Sequence, residues 1–237
     1  MPPSSFHAGV TPDLVVEAAA KLTRESGLFT WSIRDLAQEL GVTPSVVYHH
    51  VGGKDLLCRG VVERAMSEFP LPDPSLEWQD WFRELLYAAA PVAGRYPGVA
   101  RWLVMHGPTI TAALPIVDAG IGALQRAGFG DAIGYAYGAL LNNAMLTLSV
   151  HDERQQHEDD GPRDHAAMMQ EFSQLPTTLP GVEVLTRTLL APYARGGAEA
   201  QAARSTYYRF IVETTISGLE SWLETSGGAK RTPPPQA

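Results

Sequence analysis

Apolar residues recur every three to four positions along most of this 237-residue chain, which is the spacing of a helix with one buried face. Near the N-terminus one such stripe ends at Gly27 and comprises Leu14, Val15, Ala18, Ala19 and Leu22. No convincing run of alternating apolar and polar residues predicts a β-strand anywhere in the sequence. The pattern therefore predicts an all-α protein.

The strongest local pattern is a pair of short helices joined by a tight turn. Ser32 is a good N-cap with Asp35 three residues later, and Gly41 suits the left-handed position that ends a helix. Thr43 is expected to cap a second helix, with Pro44 at its first position, where proline is favoured. The pair predicts a helix-turn-helix, whose second helix can enter a DNA groove. An ordinary helical hairpin in a core is the alternative.

The second helix of the pair has one apolar side and one polar side. Val47 and Val51 are spaced to face the first helix, which leaves Ser45, Tyr48 and His49 on the outside. Polar and aromatic side chains on an uncovered helix face predict contacts with DNA bases and phosphates.

A fourth helix is expected to begin at Lys54, whose side chain lies beside free backbone N–H groups and could clamp a phosphate. A solvated surface lysine is the alternative. Arg34 is predicted to face bases or phosphates. The full set of predicted DNA-binding residues is Arg34, Thr43, Pro44, Ser45, Tyr48, His49 and Lys54.

These residues resemble the DNA-binding domain of the tetracycline-repressor-type (TetR) transcriptional regulators. The resemblance covers about residues 10–65, and its most distinctive part runs from Tyr48 through His50 and Val51 to Lys54. It also rests on Ala19, Leu22, Gly27, Ser32, Arg34, Leu36, Ala37, Leu40, Gly41, Val42 and Leu57. The resemblance implies a homodimer that binds a double-stranded, palindromic DNA operator.

The chain is acidic, with a formal net charge of −8. Residues 1–70 do not form a basic domain, because they carry six basic and eight acidic side chains. This balance argues against a general nucleic-acid coat protein and predicts weak non-specific binding with a modest dependence on salt. Two half-sites bound together must then supply much of the affinity for DNA.

A proline-rich joint at residues 70–75 is the best domain boundary in the sequence. It divides a helix-turn-helix DNA-binding domain, residues 1–69, from a larger helical ligand-binding and dimerisation domain, residues 70–226. Ser75 is expected to cap the next helix. Residues 227–237 are expected to form a disordered tail.

Two long apolar segments, residues 132–150 and 198–225, are rich in small residues that permit close helix packing. The family resemblance assigns them to a dimeric four-helix bundle made of two helices from each subunit. Two central core helices of a monomer are the alternative.

Aromatic and methionine side chains of the C-terminal half are candidates for an adaptable apolar pocket. Core packing is the alternative for each of them taken singly. The expected ligand-binding residues, including possible polar anchors, are Phe82, Trp102, Met105, His106, Asn142 and Met145.

The C-terminal half resembles that of the tetracycline repressors, but their metal-chelating histidine would fall near Leu103, which cannot bind a metal. We therefore expect an apolar small-molecule effector, with no metal and no cofactor. The segment His151–Gly161 carries histidines and carboxylates, but its spacing matches no known ligand set, so a solvated loop is expected. The resemblance implies a repressor that its effector releases from DNA.

Two other classes of protein remain as alternatives: a helical adaptor that binds protein instead of DNA, and an all-α enzyme. Against the enzyme, the sequence has no glycine-rich phosphate loop, no His-Glu-x-x-His and no Gly-x-Ser-x-Gly. The sequence also lacks a signal-peptide pattern and a membrane-length apolar run, and its one cysteine, Cys58, fits a reducing compartment. We expect a cytoplasmic protein that binds no membrane.

Overall fold

The computed structural model describes residues 10–156, 164–174 and 178–227. Within these ranges the regular structure is entirely helical, which confirms the predicted all-α class. The helices are α1 (Pro12–Ser26), α2 (Ile33–Glu39), α3 (Pro44–Val51), α4 (Lys54–Met66), α5 (Trp78–Arg95), α6 (Val99–His106), α7 (Leu114–Ala127), α8 (Ile133–Gln156), α9 (His165–Ser173), α10 (Pro180–Leu185), α11 (Ala191–Ala194) and α12 (Gly197–Gly227). The predicted solvated loop is wrong for residues 151–156, which form the last turns of α8 with Asp152 buried, and Gly227 of the predicted tail is the last residue of α12. Residues 157–161 and residues 228–237 lie outside the described residues.

Helices α1 to α3 pack around a small apolar core. Val15 and Ala19 of α1, Leu36 and Ala37 of α2, and Val47 of α3 are all buried. Full burial of a valine side chain is worth about 2 kcal/mol, so Val47 attaches the short helix α3 to this core. The predicted apolar side of α3 is therefore confirmed at Val47.

The turn between α2 and α3 follows the local signals. The Ser32 hydroxyl accepts the Asp35 N–H at 3.3 Å, and the Asp35 carboxylate accepts the Ser32 N–H at 2.7 Å, so the capping box is complete. The Ser32 hydroxyl also donates to the Asp35 carboxylate at 2.7 Å, and this bond, followed by the one from the Ser32 N–H, lowers the pKa of Asp35. Gly41 has φ +66°, a left-handed conformation that other residues adopt at a cost.

Thr43 does not cap α3 with its side chain, contrary to the prediction. Its backbone has the extended conformation of an N-cap, but no cap hydrogen bond forms. The Thr43 hydroxyl is instead 2.8 Å from the Ser45 hydroxyl. A contact between the Thr43 and Ser45 hydroxyl groups therefore takes the place of the expected hydrogen bond to a backbone N–H.

Helices α5, α7 and α8 form the body of the C-terminal part, and α12 packs along α8 and α5. Helix α5 begins at Trp78 with Glu77 as its N-cap, so the predicted N-cap, Ser75, is wrong. The Ser75 N–H and hydroxyl both bind the Asp73 carboxylate, at 2.8 and 2.7 Å, which makes a local turn before the helix.

No single helix among the described residues is long and apolar enough to cross a membrane. One pair of segments, Val99–His106 and Thr111–Ala127, reaches that length and composition together, but the two are bent by 90° relative to each other.

Candidate functional site

Helix α3 presents a continuous exposed face. Ser45, Tyr48 and His49 are all exposed, and the side chain of Tyr48 is 51% accessible to solvent. Val47, on the opposite side, is completely buried. Because residues three and four positions apart lie on one helix face, the structure brings the three predicted side chains together on the outside of the helix.

Arg34, Thr43 and Pro44 lie exposed near the N-termini of α2 and α3. Arg34 forms no ion pair with any residue that the structure describes, so its guanidinium remains available to an external anion. The exposed surface formed by Arg34, Thr43, Pro44, Ser45, Tyr48 and His49 is called the α3 surface below.

Lys54 has an intramolecular contact that the sequence did not reveal. Its ammonium group donates a hydrogen bond to the carbonyl of Trp31, lies 3.3 Å from the carbonyl oxygen of Phe29 and lies 4.5 Å from the centroid of the Trp31 ring. The side chain thus holds the α1–α2 loop against the start of α4. A phosphate contact by Lys54 stays a prediction, and it would require the ammonium group to leave these carbonyls.

An apolar cavity of about 220 Å³ lies between α4, α5, α6, α7 and α8. Its walls include Met66, Leu86, Leu103, Ile116 and Leu141. Leu103 thus lines the cavity at the position where the resemblance would place a metal-chelating histidine. An alkyl side chain cannot bind a metal there.

Two side chains give this cavity a polar component, Tyr137 and Asn142. Burial raises the pKa of Tyr137 to about 12, so its hydroxyl is protonated at neutral pH and can donate a hydrogen bond. A mainly apolar wall with a few polar groups is typical of a site for a small organic molecule.

Only two of the six predicted ligand-binding residues line this cavity, Asn142 and Met145. Phe82 and Trp102 are buried in side-chain packing elsewhere. The helical turn of α6 directs Leu103 and Val104 toward the cavity.

Met105 and His106, also on α6, lie on the surface, and Met105 is 72% exposed. The His106 ring stacks on Trp102 with ring centroids 4.3 Å apart, and its Nδ1 lies 2.9 Å from the Trp102 carbonyl oxygen. Phe82, Trp102, Met105 and His106 therefore do not line this cavity, and a ligand contact by any of them stays a prediction.

Helix α4 extends from the α3 surface to the cavity. Two residues separate its start from the end of α3, and Met66 at its last turn lines the cavity. Phe69, just beyond the helix, also lines the cavity. Helix α4 is therefore a continuous helical connection between the cavity and the end of α3.

A second connection between the two parts runs through the α1–α2 loop and the start of α6, here called the junction. The Leu28 N–H donates to the Pro97 carbonyl at 2.8 Å. The Gly98 N–H donates to the buried carboxylate of Asp152 at 3.0 Å. Burial raises the pKa of Asp152 to about 6, an effect that the Gly98 N–H partly offsets.

A charged network lies beside the junction. The Arg24 guanidinium donates to the Tyr96 hydroxyl at 3.0 Å, and that hydroxyl donates to Glu68 at 2.5 Å. Arg95 also binds Glu68, at 2.7 Å. The hydrogen bond from Tyr96, followed by Arg95, lowers the pKa of Glu68, so this carboxylate stays ionised at neutral pH.

Helices α8 and α12 leave an apolar strip on the surface, called the α8–α12 strip below. It contains Leu146 and Val150 of α8, and Tyr207 and Phe210 of α12, which are all exposed. Leu146, Val150 and Tyr207 line one shallow depression, so they share a surface. Exposed apolar patches of this kind are typical of protein interfaces.

No protein-family model matches the sequence. A curated protein of Saccharopolyspora erythraea, described as an HTH-type transcriptional regulator, is 28% identical over 155 residues. The match spans 64% of this chain and 64% of that relative, which is less than two thirds of the relative's length.

Solved structures match over nearly the whole chain. Apo ActR from Streptomyces coelicolor has a TM-score of 0.71 and 20% identity, covering 92% of this chain and 99% of that one. The structure of ActR, a TetR family protein, in complex with actinorhodin has a TM-score of 0.67 and 21% identity, covering 89% and 97%. TetR from Acinetobacter baumannii AYE has a TM-score of 0.63 and 19% identity, covering 90% and 98%. The chain has the fold of the TetR family regulators.

Proposed function

We propose that this protein is a ligand-responsive transcriptional regulator, a repressor that a small apolar molecule releases from its DNA operator. The observation that carries the proposal is the position of α4, which joins the exposed α3 surface to an apolar cavity. A DNA-reading element and a ligand site connected by one helix are what a one-component sensor requires.

The DNA-binding role rests on the α3 surface. Tyr48, His49 and Ser45 present donors, acceptors and an aromatic ring on an exposed helix face, and the major groove is wide enough to admit an α-helix. Arg34 supplies a cation without an ion-pair partner among the described residues. Tyr48, His49 and Ser45 are proposed to contact bases or phosphates, and Thr43, Pro44 and Lys54 the DNA backbone.

A homodimer on a palindromic operator accounts for binding by a domain without excess positive charge. Residues 1–70 carry more acidic than basic side chains, so a single copy lacks a strong electrostatic attraction to DNA. Two recognition helices about 34 Å apart would fit successive turns of one DNA face. The α8–α12 strip provides an apolar surface through which two copies can associate.

The effector is proposed to occupy the apolar cavity. ActR, which shares the fold, has been solved with actinorhodin bound. In this chain Tyr137 and Asn142 would orient the occupant, and Leu103 rules out metal chelation from its position. An effector that prefers a conformer with a different helix spacing would empty the operator, provided the preference reaches several kcal/mol.

Two alternatives remain distinguishable from this proposal. A helical adaptor would use its exposed surfaces for protein and would not bind DNA in a salt-dependent manner. An all-α enzyme would need catalytic groups in the cavity, whose side chains are mainly apolar. As a regulator, the protein would act where the DNA is, in the cytoplasm.

A gel-shift assay on the DNA adjoining the protein's own gene tests the proposal directly. The protein is expected to retard a specific fragment with a modest salt dependence, and at least one compound of an apolar library should release it. No specific retardation of this DNA at low salt would contradict the proposed function.

The variant Gly138→Leu provides the ligand control for the same assay. Gly138 lines the cavity, and a Cβ added there meets no atom within 4 Å, so a leucine can fill the cavity without a clash at its root. This variant is expected to bind the fragment and to resist the releasing compound. Gly134→Leu, on the same helix but outside the cavity wall, should respond as the original protein does.

Sedimentation tests the proposed dimer. At micromolar concentration the protein is expected to sediment at twice the 25.6 kDa of one chain. Phe210→Glu places a charge in the α8–α12 strip and should shift the equilibrium toward the monomer. Leu114→Glu, at a similarly exposed leucine of α7, should remain dimeric. A species of 25.6 kDa for the unaltered protein would rule the dimer out.

A further inference from the structure

The apolar cavity has no charged side chain among the described residues that line it. Alkyl, thioether and aromatic groups form its walls, and its polar side chains are the phenol of Tyr137 and the amide of Asn142. A carboxylate or an ammonium group in this cavity would leave water without finding an opposite charge, which is unfavourable. The cavity therefore favours a neutral occupant over an ionised one.

The volume of the cavity, about 220 Å³, sets the size of its occupant. A dry apolar cavity of about 150 Å³ can hold one benzene molecule. Here the wall includes Gly138 of α8 and Ala89 of α5, whose small size keeps the space open. The cavity therefore has room for a molecule of two fused rings.

The hydroxyl of Tyr137 is a hydrogen-bond donor without a partner among the described residues. Burial raises the pKa of Tyr137 to about 12, and neither a hydrogen bond nor a neighbouring charge contributes to this shift. In the part of the chain that the structure describes, only the Trp81 Nε1 is both fully enclosed and unpartnered, so the Tyr137 hydroxyl is accessible to an incoming molecule. An occupant that accepts a hydrogen bond from this hydroxyl gives it a partner that the described chain does not supply.

The ring of Tyr137 is held in place by its neighbours on α5 and α7. The Phe82 ring packs edge-on against it, with ring centroids 6.2 Å apart and an angle of 70° between the planes. A Cβ added at Gly120 would lie 3.1 Å from the Tyr137 Cε2, so the ring also packs closely against the backbone of α7. The phenol is therefore positioned before a ligand arrives, which lowers the entropic cost of binding.

Asn142 lies where the same wall meets solvent, because it is exposed and also lines the cavity. Its amide can bind water when the cavity is empty, so a ligand that replaces this water gains little. Tyr137 is buried more deeply and is therefore the polar group that we expect to discriminate between ligands.

We infer that the cavity selects a neutral molecule of two fused rings that carries a carbonyl oxygen, and that this oxygen accepts a hydrogen bond from the Tyr137 hydroxyl. A carbonyl group satisfies the phenol and brings no N–H or O–H of its own, so it leaves no donor unpaired against the apolar wall. The inference rests on the proposed function, because it takes this cavity as the effector site. It adds the chemical class of the effector and the residue that recognises it.

Calorimetric titration of the full chain with α-tetralone, a neutral ketone of two fused rings, tests the inference without DNA. Saturable binding is expected below about 1 mM. Sodium 1-naphthoate, which has two fused rings and a negative charge, should bind about 10-fold more weakly or not at all, because the cavity offers it no cation. An absence of saturable α-tetralone binding, or equal binding of the naphthoate, would overturn the inference.

The variant Tyr137→Phe tests the hydrogen bond itself. It should weaken α-tetralone binding about 5-fold and leave the affinity for tetralin unchanged, because this hydrocarbon has the same skeleton without the carbonyl. Tetralin affinity is measured by displacement of α-tetralone. Tyr135→Phe, at an exposed tyrosine of α8 outside the cavity wall, should bind both compounds as the original protein does. If Tyr137→Phe weakened both compounds equally, or neither, Tyr137 would not recognise the carbonyl group and the inference would be wrong.

Gly138→Leu and Gly134→Leu locate the bound ketone. Gly138→Leu fills the cavity and should abolish α-tetralone binding, whereas Gly134→Leu, outside the cavity wall, should retain it. Binding that persists in Gly138→Leu would place the ketone elsewhere and refute the inference.

The titrations and the gel-shift assay fail independently, because the titrations contain no DNA. An absence of DNA retardation would contradict the proposed function while the preference for the ketone could still be measured. Loss of that preference, with retardation and release by another compound intact, would overturn only the inferred class of effector.

Discussion

Tyr48→Ala is expected to weaken binding to the operator about 100-fold, which is the largest effect that we predict for a single side chain on the α3 surface. Loss of one base-reading contact costs about 1–3 kcal/mol, and a dimer on a palindrome loses that contact in both half-sites. Because Tyr48 is 51% exposed and its phenol is not part of the core, the folded state should be retained. Fluorescence anisotropy with the operator fragment at fixed salt measures the change.

Tyr135→Ala provides the matched control for this experiment. Tyr135 is 83% exposed and lies at the start of α8, away from the α3 surface. Removing the phenol at Tyr135 should leave operator affinity unchanged. Circular dichroism should show that both variants are folded. Full operator affinity in Tyr48→Ala would be incompatible with the proposed role of α3.

Gly98→Ala is expected to lower the free energy of unfolding by about 3 kcal/mol, the largest effect that we predict on stability. Gly98 has φ +94°, where a side chain is strained. A Cβ there would also lie 3.0 Å from the Leu28 Cβ, 3.3 Å from the Phe29 ring and 3.4 Å from the Leu28 backbone nitrogen. The α1–α2 loop would therefore have to move away from α6.

Gly128→Ala is the control that separates the cost of the left-handed backbone from the cost of the steric contact with the α1–α2 loop. Gly128 has a similar φ of +88°, but a Cβ added there meets no atom within 4 Å. Its substitution should cost about 1 kcal/mol, the price of the left-handed backbone alone. Urea denaturation of both variants provides the comparison. If both variants lost the same free energy of unfolding, the close contact between Leu28 and Gly98 would add no cost beyond that of the left-handed backbone.

The helix-turn-helix was predictable because its signals act over three to five residues. Ser32 and Asp35 form the capping box that their spacing indicates, and Gly41 adopts the left-handed backbone expected of it. Thr43 departs from the pattern because the Ser45 hydroxyl competes for its side chain. The sequence shows that both hydroxyl groups are present, but it does not show which partner the Thr43 hydroxyl takes in the folded turn.

The cavity was not predictable at the level of residues. Helical periodicity separates buried from exposed positions, but it does not separate a side chain that faces a void from one that faces another side chain. Phe82 and Met145 are both buried, yet only Met145 lines the cavity. Met105 and His106 lie on the exposed side of a helix too short to give a clear period.

Local sequence therefore was sufficient for the helical class, the tight turn and the exposed character of α3, because backbone propensity and capping depend on near neighbours. Contacts between distant segments required the folded chain. Lys54 binds carbonyl groups 23 and 25 residues away, and Asp152 accepts a hydrogen bond from Gly98, 54 residues away. Side chains that meet in this way are selected by the packing of whole helices, which no short stretch of sequence encodes.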